Sequence, residues 1–424
     1  MADTPATVKG MNDILAPEVA KWQFVEERAR MLLDAYAYRE LRTPLLEYTN
    51  LFQRGVGETT DVVEKQMYTF EDRDGRSVSL RPEGTASAVR AYIAQAQWHK
   101  EPVTRWFYMG PMFRHERAQR GRLRQFHQIG AEVIGLPSPG IDAEMVGMLV
   151  KLLSEVGLPE ASLDVVVNTL GEPDERAAYR DALQAYFRQH ASRLDEDSRR
   201  RLETNPLRIL DSKDEGTQEL CAGAPYLIDH LGEASKASFA RFQDLLKNLG
   251  VNARVDPRLV RGLDYYTGVI FEIKATSGDL GAQNTLCGGG RYDYLIESLG
   301  GPKTPALGFG MGVERVLLAI AEPPESFESP VNVFIAPLGD AAYAWAVRKA
   351  QDLRLKGIRV EVEHRPTGLK NQLKRAAKMR ARLALIVGDN ELATGKLALK
   401  DLEAEQQLEV DVNSLEAKIQ QLLD

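Results

Sequence analysis

The stretch that most constrains this chain runs from Trp106 to Gly135, WFYMGPMFRHERAQRGRLRQFHQIGAEVIG. Trp106 to Met112 is an apolar run that predicts a strand, and Phe126 to Val133 alternates well enough to be the returning strand of a long hairpin. The loop between them carries Arg114, Arg117, Arg120, Arg122 and Arg124 against one carboxylate, Glu116. Such a loop suits anions, although charged loops are also commonly solvated hairpin tips. Arg114 argues against that explanation. It stands at the strand end, where packing can hold a guanidinium fork still enough for bidentate contact with phosphate.

A chain of 424 residues exceeds the usual single-domain ceiling, so two or three domains are expected. Met1 to Met11 has no apolar core, and no stretch approaches the roughly 20 apolar residues of a membrane span, so the expectation is a cytoplasmic protein with no membrane partner. Cys221 and Cys287 stand far apart and the six histidines are scattered, which predicts neither a disulfide framework nor a metal site. His115 and His127 are read as hydrogen-bonding residues. The net charge of -7 argues against indiscriminate coating of nucleic acid but leaves room for local basic surfaces. Residues 331–424 are slightly basic, with 15 Lys/Arg to 13 Asp/Glu.

From the N-terminus, Glu18 to Tyr36 has helical spacing, with Val19, Trp22, Val25 and Ala29 on one face and Met31, Leu32 and Leu33 continuing it. Glu40 to Glu47 predicts a strand interrupted by Pro44, hence an edge strand or a subunit contact. Glu64 to Phe70 and Val78 to Leu80 predict a hairpin closed at Asp74-Gly75. It leads into Arg81-Pro82-Glu83-Gly84-Thr85, where Glu83 and Thr85 offer a seat for an ammonium group, unless a helix starting near Thr85 explains the pattern. Thr85 to Ala96 should be helical.

From Glu172 to Gly250 the strand signals give way to charged helical segments, which reads as an inserted helical domain. Strand patterning resumes at Val255. Arg261-Gly262-Leu263-Asp264-Tyr265-Tyr266 then precedes Val269 to Ile273, placing a cation and two phenols at a strand start. Cys287 to Asp293 reads as a glycine run feeding a helix, either a plain turn or a ligand site. In Gly308-Phe309-Gly310-Met311-Gly312-Val313-Glu314-Arg315, alternating glycines leave a flat floor for a planar base, with Arg315 aimed at phosphate. Neither GxGxxG at a βαβ entry nor a P-loop motif is present. After a proline-rich linker, Glu322 to Pro330, strands near 331–336, 358–362 and 383–387 alternate with helices near 341–355 and 369–379. Lys370, Lys374, Arg375, Lys378, Arg380 and Arg382 cluster on and after the second of those helices, either as a contact surface or as a solvated face.

FRHER with its returning strand and GFGMGVER resemble motifs 2 and 3 of class II aminoacyl-tRNA synthetases, and the Pro44 strand resembles motif 1. RPEGT, RGLDYYTG and CGGGRYD narrow the resemblance to the histidyl-tRNA synthetase family in its bacterial form, over the whole chain. Tyr294 departs from the family pattern, which more often has a small residue there. The resemblance implies an α+β fold: a class II antiparallel sheet of six to seven strands flanked by helices over residues 1–325, the helical insertion at about 172–250, and an α/β anticodon-binding domain at 331–424. It implies a homodimer. It also implies ATP-dependent activation of L-histidine to histidyl-adenylate and transfer to the 3′ end of tRNA(His), with Mg2+ beside the ATP. Arg114 and Arg261 would be catalytic at the α-phosphate, Arg315 would hold the γ-phosphate and Glu116 the adenine. Glu83, Thr85 and Gln128 would hold the ammonium and carboxylate of histidine, and Glu132, Tyr265 and Tyr266 its imidazole, with Arg261 also near this substrate. Arg117, Arg120 and Arg122 would lie further out and face tRNA. The rival readings are a non-catalytic synthetase-like regulatory subunit of histidine biosynthesis and a histidine-sensing or RNA-binding module. The first is disfavoured because such relatives lose motif arginines and the C-terminal domain.

Overall fold

In the computed structural model, which describes residues 5–276, 280, 284–322 and 330–423, the apolar spacing after Pro17 becomes helix α1 (Glu18–Ala35). Its buried stripe is Trp22, Val25, Ala29 and Leu33. Met31, expected on that stripe, is exposed because it lies two residues, about 200° of turn, beyond Ala29. The strand expected from Glu40 to Glu47 is two fragments: β1 (Arg39–Glu40) pairs in parallel with Trp106–Phe107, and β2 (Leu46–Tyr48) joins a separate small sheet. Pro44 sits in the break, where its missing N–H ends any ladder.

Helix α2 (Thr49–Val56) leads to the hairpin of β3 (Tyr68–Glu71) and β4 (Ser77–Leu80), which completes a three-stranded sheet in the order β2-β4-β3. The hairpin begins later than its sequence suggests because Val62–Gln66 winds into a π-helical turn. Then come α3 (Thr85–Ala94) and the long pair β5 (Thr104–Phe113) and β6 (Gln125–Ile134), paired antiparallel from Thr104 opposite Ile134 to Phe113 opposite Gln125. Helix α4 (Pro139–Glu155) opens with proline at its first position and the Ser138 hydroxyl accepting from the Gly140 amide at 3.1 Å, both ordinary helix starters. Strand β7 (Leu163–Thr169) precedes the helical stretch α5 (Pro173–Gln189), α6 (Glu196–Thr204), α7 (Glu215–Ala222) and α8 (Glu233–Asn248). This insertion shares a core with the sheet: Leu183, Phe187 and Ile209 pack with Val166, Tyr266 and Ile270.

The chain returns through β8 (Ala253–Val255), β9 (Thr267–Ala275), β10 (Thr285–Arg291), α9 (Leu295–Ser298), β11 (Ala306–Gly312) and α10 (Val313–Ala319). The main sheet has eight strands in the order β1-β5-β6-β11-β10-β9-β7-β8. Its inner neighbours are antiparallel, and the short edge strands β1 and β8 pair in parallel, which raises the count above the expected six to seven. The glycine run is also placed differently from its reading. Gly288, Gly289 and Gly290 are mid-strand in β10, opposite Gly310, Phe309 and Gly308 of β11, rather than in a turn at a helix start. Tyr294 keeps out of the core, its hydroxyl donating to Glu172 Oε2 at 2.9 Å.

Compact units span Met1–Pro323 and Pro324–Asp424. The linker expected at Glu322 to Pro330 lies, apart from its two ends, outside the described residues. The second unit contains β12 (Val333–Leu338), α11 (Asp340–Leu355), β13 (Val360–Val362), α12 (Leu369–Lys378) and β14 (Leu383–Gly388), as the alternation predicts. It adds α13 (Asp389–Thr394), a hairpin of β15 (Lys396–Asp401) and β16 (Gln406–Asp411), and α14 (Leu415–Leu423). The sheet order is β13-β12-β14-β15-β16. No helix among the described residues is long and apolar enough to cross a membrane.

Candidate functional site

A cavity of about 490 Å³ opens over the faces of β6, β10 and β11 in the first unit. Its floor is bare because Gly288, Gly310 and Gly312 contribute no side chains. Gly308 serves differently. A Cβ there would lie 1.6 Å from Glu132 Oε2, so its emptiness seats a buried carboxyl beneath the floor.

Arg114, at the end of β5, donates from Nε to the Pro82 carbonyl at 2.9 Å and lies over the Phe126 ring, 5.2 Å from its centre. Arg315, in the first turn of α10, donates from Nε to the Gly121 carbonyl and from Nη1 to the Thr285 carbonyl, both at 2.9 Å. Neutral carbonyls thus orient both guanidiniums. Burial and the neighbouring Arg122 and Arg114 draw the Arg315 guanidinium below its ordinary pKa. Like charges are therefore being held together, an arrangement that favours a polyanion.

Arg122 lies closer in than its sequence position suggests. The loop turns back at Gly121, with φ +70°, so Arg122 reaches the cavity and pairs with Glu116 at 2.9 Å. Arg117 and Arg120 remain on the exposed part of the loop.

Arg261 enters from the segment before β9 and pairs with Glu272, with its guanidinium 5.7 Å from the centre of the Tyr266 ring. A Cβ on Gly288 would lie 2.5 Å from Arg261 Nη1, so the glycine makes room for this cation. Burial works against the charge, but Tyr266 and Glu272 outweigh it and hold the guanidinium above its ordinary value. Its buried Nε has no hydrogen-bond partner among the described residues.

At the other end of the cavity Glu83 accepts from the Thr85 amide at 2.7 Å and the Ala86 amide at 2.8 Å, capping α3. Burial raises its pKa against the pull of those amides. The capping explanation of RPEGT thus holds, and the carboxylate also lines the cavity beside Thr85 and Gln128. Tyr265 and Tyr266 line it too, their ring centres 4.7 Å apart.

Glu132 lies just behind the wall and is fully buried. The Tyr108 hydroxyl donates to its Oε1 at 3.0 Å and the Tyr292 hydroxyl to its Oε2 at 2.5 Å. Burial raises its pKa to about 8 despite these hydroxyls. The Tyr108 ring fits only because Gly84 and Gly130 lack side chains: a Cβ at either would lie 2.1 Å or 2.4 Å from it.

The structure therefore gathers Arg114, Glu116, Arg261, Arg315, Glu83, Thr85, Gln128, Tyr265 and Tyr266 around one cavity, with Glu132 behind it. Sequence reasoning missed Glu272, Lys274, Tyr108 and Tyr292. Glu272 and Lys274 had a signal: charged residues two apart in an apolar strand share one face, here the cavity face, and stand 3.4 Å apart.

The histidyl-tRNA synthetase family model matches residues 10–316, and an anticodon binding domain model matches residues 332–422. The histidine–tRNA ligase of Halorhodospira halophila is 49% identical over 94% of this chain and 93% of its own length. That of Sorangium cellulosum is 50% identical over 95% and 93%. Among solved structures, the apo histidyl-tRNA synthetase of S. aureus superposes with a TM-score of 0.83 at 34% identity, covering 98% of this chain and 100% of that one. An ATP phosphoribosyltransferase regulatory subunit/histidyl-tRNA synthetase from Bacillus halodurans C reaches 0.63 at 22% identity, covering 92% of this chain and 98% of that one, a likeness of fold alone.

Proposed function

The chain belongs to the histidyl-tRNA synthetase family, and from that premise we propose that it activates L-histidine with ATP and transfers it to the 3′ end of tRNA(His). The observation that carries this reading is the meeting, in one cavity, of separately anchored arginines with a buried carboxyl-and-phenol recess. In the first step an oxygen of the histidine carboxylate bonds to the α-phosphorus while the bond to the β-phosphate oxygen breaks, releasing pyrophosphate. In the second, a hydroxyl of the terminal tRNA ribose attacks the acyl carbon and AMP leaves.

The first step brings two anions together, so positioning and charge neutralisation are most of the catalysis. Arg114 and Arg261 hold the α-phosphate, Arg315 the γ-phosphate, and Glu116 accepts from the adenine amino group. Mg2+ enters with the nucleotide substrate. Glu83, Thr85 and Gln128 take the ammonium and carboxylate of histidine, while Tyr265, Tyr266 and Glu132 take the imidazole. A site that hydrogen-bonds a polar side chain rejects analogues lacking it, because its own buried groups are left unpaired.

In this reading Arg117, Arg120 and Arg122 meet the tRNA acceptor end, Arg122 from within the cavity, and the second unit binds the anticodon region. The enzyme works in the cytoplasm as a homodimer. Self-association is supported by Leu45, Leu46, Tyr48 and Phe70, all more than 40% exposed on or beside the small β2-β4-β3 sheet. The regulatory-subunit alternative gains nothing from the site, which keeps its full arginine set. The test is histidine-dependent exchange of pyrophosphate into ATP by the full chain. Exchange is expected, and an enzyme that binds histidine and ATP without exchanging would return the regulatory reading.

A further inference from the structure

The loop that bears Arg261, Tyr265 and Tyr266 has little scaffold of its own. Strand β8 ends at Val255 and β9 begins at Thr267, so residues 261–266 run outside both ladders and their carbonyls need partners from elsewhere. The insertion supplies them. Arg208, 8% exposed, donates from Nη1 to the carbonyl oxygen of Arg261 at 3.1 Å, and its Nη2 lies 3.5 Å from Asp61 Oδ2. Asn205 Nδ2 donates to Asp264 Oδ1 at 3.0 Å. Arg176 Nη1 donates to the carbonyls of Asp264 at 3.2 Å and Tyr266 at 2.9 Å.

We propose that the insertion sets the geometry of amino-acid activation: Arg208 is a positioning residue for Arg261, and Arg176 is one for the Tyr265-Tyr266 pair. The inference rests on the reading of Arg261 as the cation at the α-phosphate. The Arg208 and Arg176 bonds to the loop each put a charged donor on a neutral carbonyl, a strong class of hydrogen bond, and Arg208 is itself steadied by Asp61 and by Asp211, which lines the cavity. The two anchors act on different ends of the loop. Arg208 governs where the phosphate cation stands, and Arg176 governs where the phenols that face histidine stand.

The test is pyrophosphate exchange by the full chain without tRNA, in Arg208→Gln, Arg208→Lys, Arg176→Gln, Arg261→Ala and the Arg208→Gln/Arg261→Ala double variant. A displacement of about 1 Å costs on the order of 100-fold, so Arg208→Gln is expected to lower kcat about 10- to 100-fold with KM for ATP and histidine nearly unchanged. Arg208→Lys, which can still donate to the carbonyl, should recover most of that loss. Arg176→Gln should instead act mainly on KM for histidine. In the Arg261→Ala background, Arg208→Gln should cost nothing more, because its effect passes through a side chain already removed. Additive losses in the double variant, or an unchanged kcat in folded Arg208→Gln, overturn the proposal. Should thermal melting show Arg208→Gln unfolded, Arg176→Gln decides it: a raised KM for histidine at nearly unchanged kcat supports the proposal, and unchanged kinetics overturn it. Near wild-type exchange in Arg261→Ala sinks the underlying reading of that arginine, whereas additive losses beside an impaired Arg261→Ala sink only the positioning role.

Discussion

The arginines of the cavity and the basic residues of α12 are both clusters of positive charge, and they differ in how far backbone carbonyls hold them: Arg122 and Arg261 pair with carboxylates, whereas Arg114 and Arg315 also donate to neutral carbonyls. Arg114 and Arg315 donate to backbone carbonyls, which orient a cation and are themselves neutral. On α12, Arg375 is spent on Glu361 and Glu363 at 2.9 and 2.8 Å, and beyond the helix Arg382 is spent on Asp401 at 3.0 Å. Lys370, Lys374 and Lys378 are exposed on the same helix and make no ion pair among the described residues. The difference separates two jobs. A cation on a carbonyl can meet one phosphate at one place, as bond-making requires, while a lysine on an open helix adds attraction without geometry and suits a long polyanion gripped through its backbone.

The largest effect is expected of Arg261→Ala, which removes a cavity cation held by Glu272 rather than by a carbonyl. Removing a fixed charge from the place where charge develops typically costs a few kcal/mol, so exchange should fall about 100- to 1000-fold while the chain stays folded by thermal melting. Exchange near the wild-type rate would remove Arg261 from the chemistry and leave the carbonyl-held pair to carry it.

Glu132 sharpens the comparison from the other side, as a buried carboxyl that makes no ion pair among the described residues. Its pKa of about 8 lies above that of free imidazole, roughly 6.5, so one proton can be shared between acid and ligand. Binding then needs no net proton exchange between those values. Above pH 8 a proton must be taken up, and histidine affinity should fall about tenfold per pH unit, as read by calorimetry. Stability follows the same sign: the unfolded carboxyl ionises from about pH 4.5 and the folded one near 8, so Glu132 increasingly destabilises the fold across that window. Glu132→Gln should flatten both slopes, and unchanged slopes would remove Glu132 from the site.

A smaller effect is expected for Arg120→Ala, on the exposed part of the hairpin loop. Exchange should stay within about twofold, while aminoacylation drops severalfold with a salt slope shallower by about 0.7–0.9. Equal losses in both assays would make Arg120 a member of the cavity cluster. The smallest effect belongs to Lys374→Ala with Lys378→Ala, about two- to threefold in aminoacylation kcat/KM and none in exchange, shrinking further at high salt. A loss that persists at high salt would show that these lysines have fixed partners after all.

Much of the cavity was legible because its residues sit at strand ends and in glycine patterns, which local periodicity resolves. Arg114 could be placed from the end of an apolar run and Arg315 from the strand-to-helix change after Gly312. What sequence reasoning could not see was set by pairing and turning. Arg122 comes inward through one glycine turn, and nothing in its spacing separates it from Arg120. The run at Gly288 resembled a turn because glycine permits either state, and only the register against β11 makes it strand. Tyr108 and Tyr292 carry no local signal, since only the fold brings both hydroxyls to Glu132.

The glycine run of β10 also bears on heredity. Adding one carbon at Gly289 would bring it within 2.1 Å of the Gly308 carbonyl oxygen, at Gly290 within 2.6 Å of the Val269 carbonyl oxygen, and at Gly288 within 2.5 Å of Arg261 Nη1. Every amino-acid replacement reachable from a glycine codon by one base change adds such a carbon. Gly289 and Gly290 meet fixed backbone, so their codons can drift only silently, whereas at Gly288 the obstacle is the end of the Arg261 side chain, and if that cation serves the reaction the toll falls on chemistry before it falls on folding.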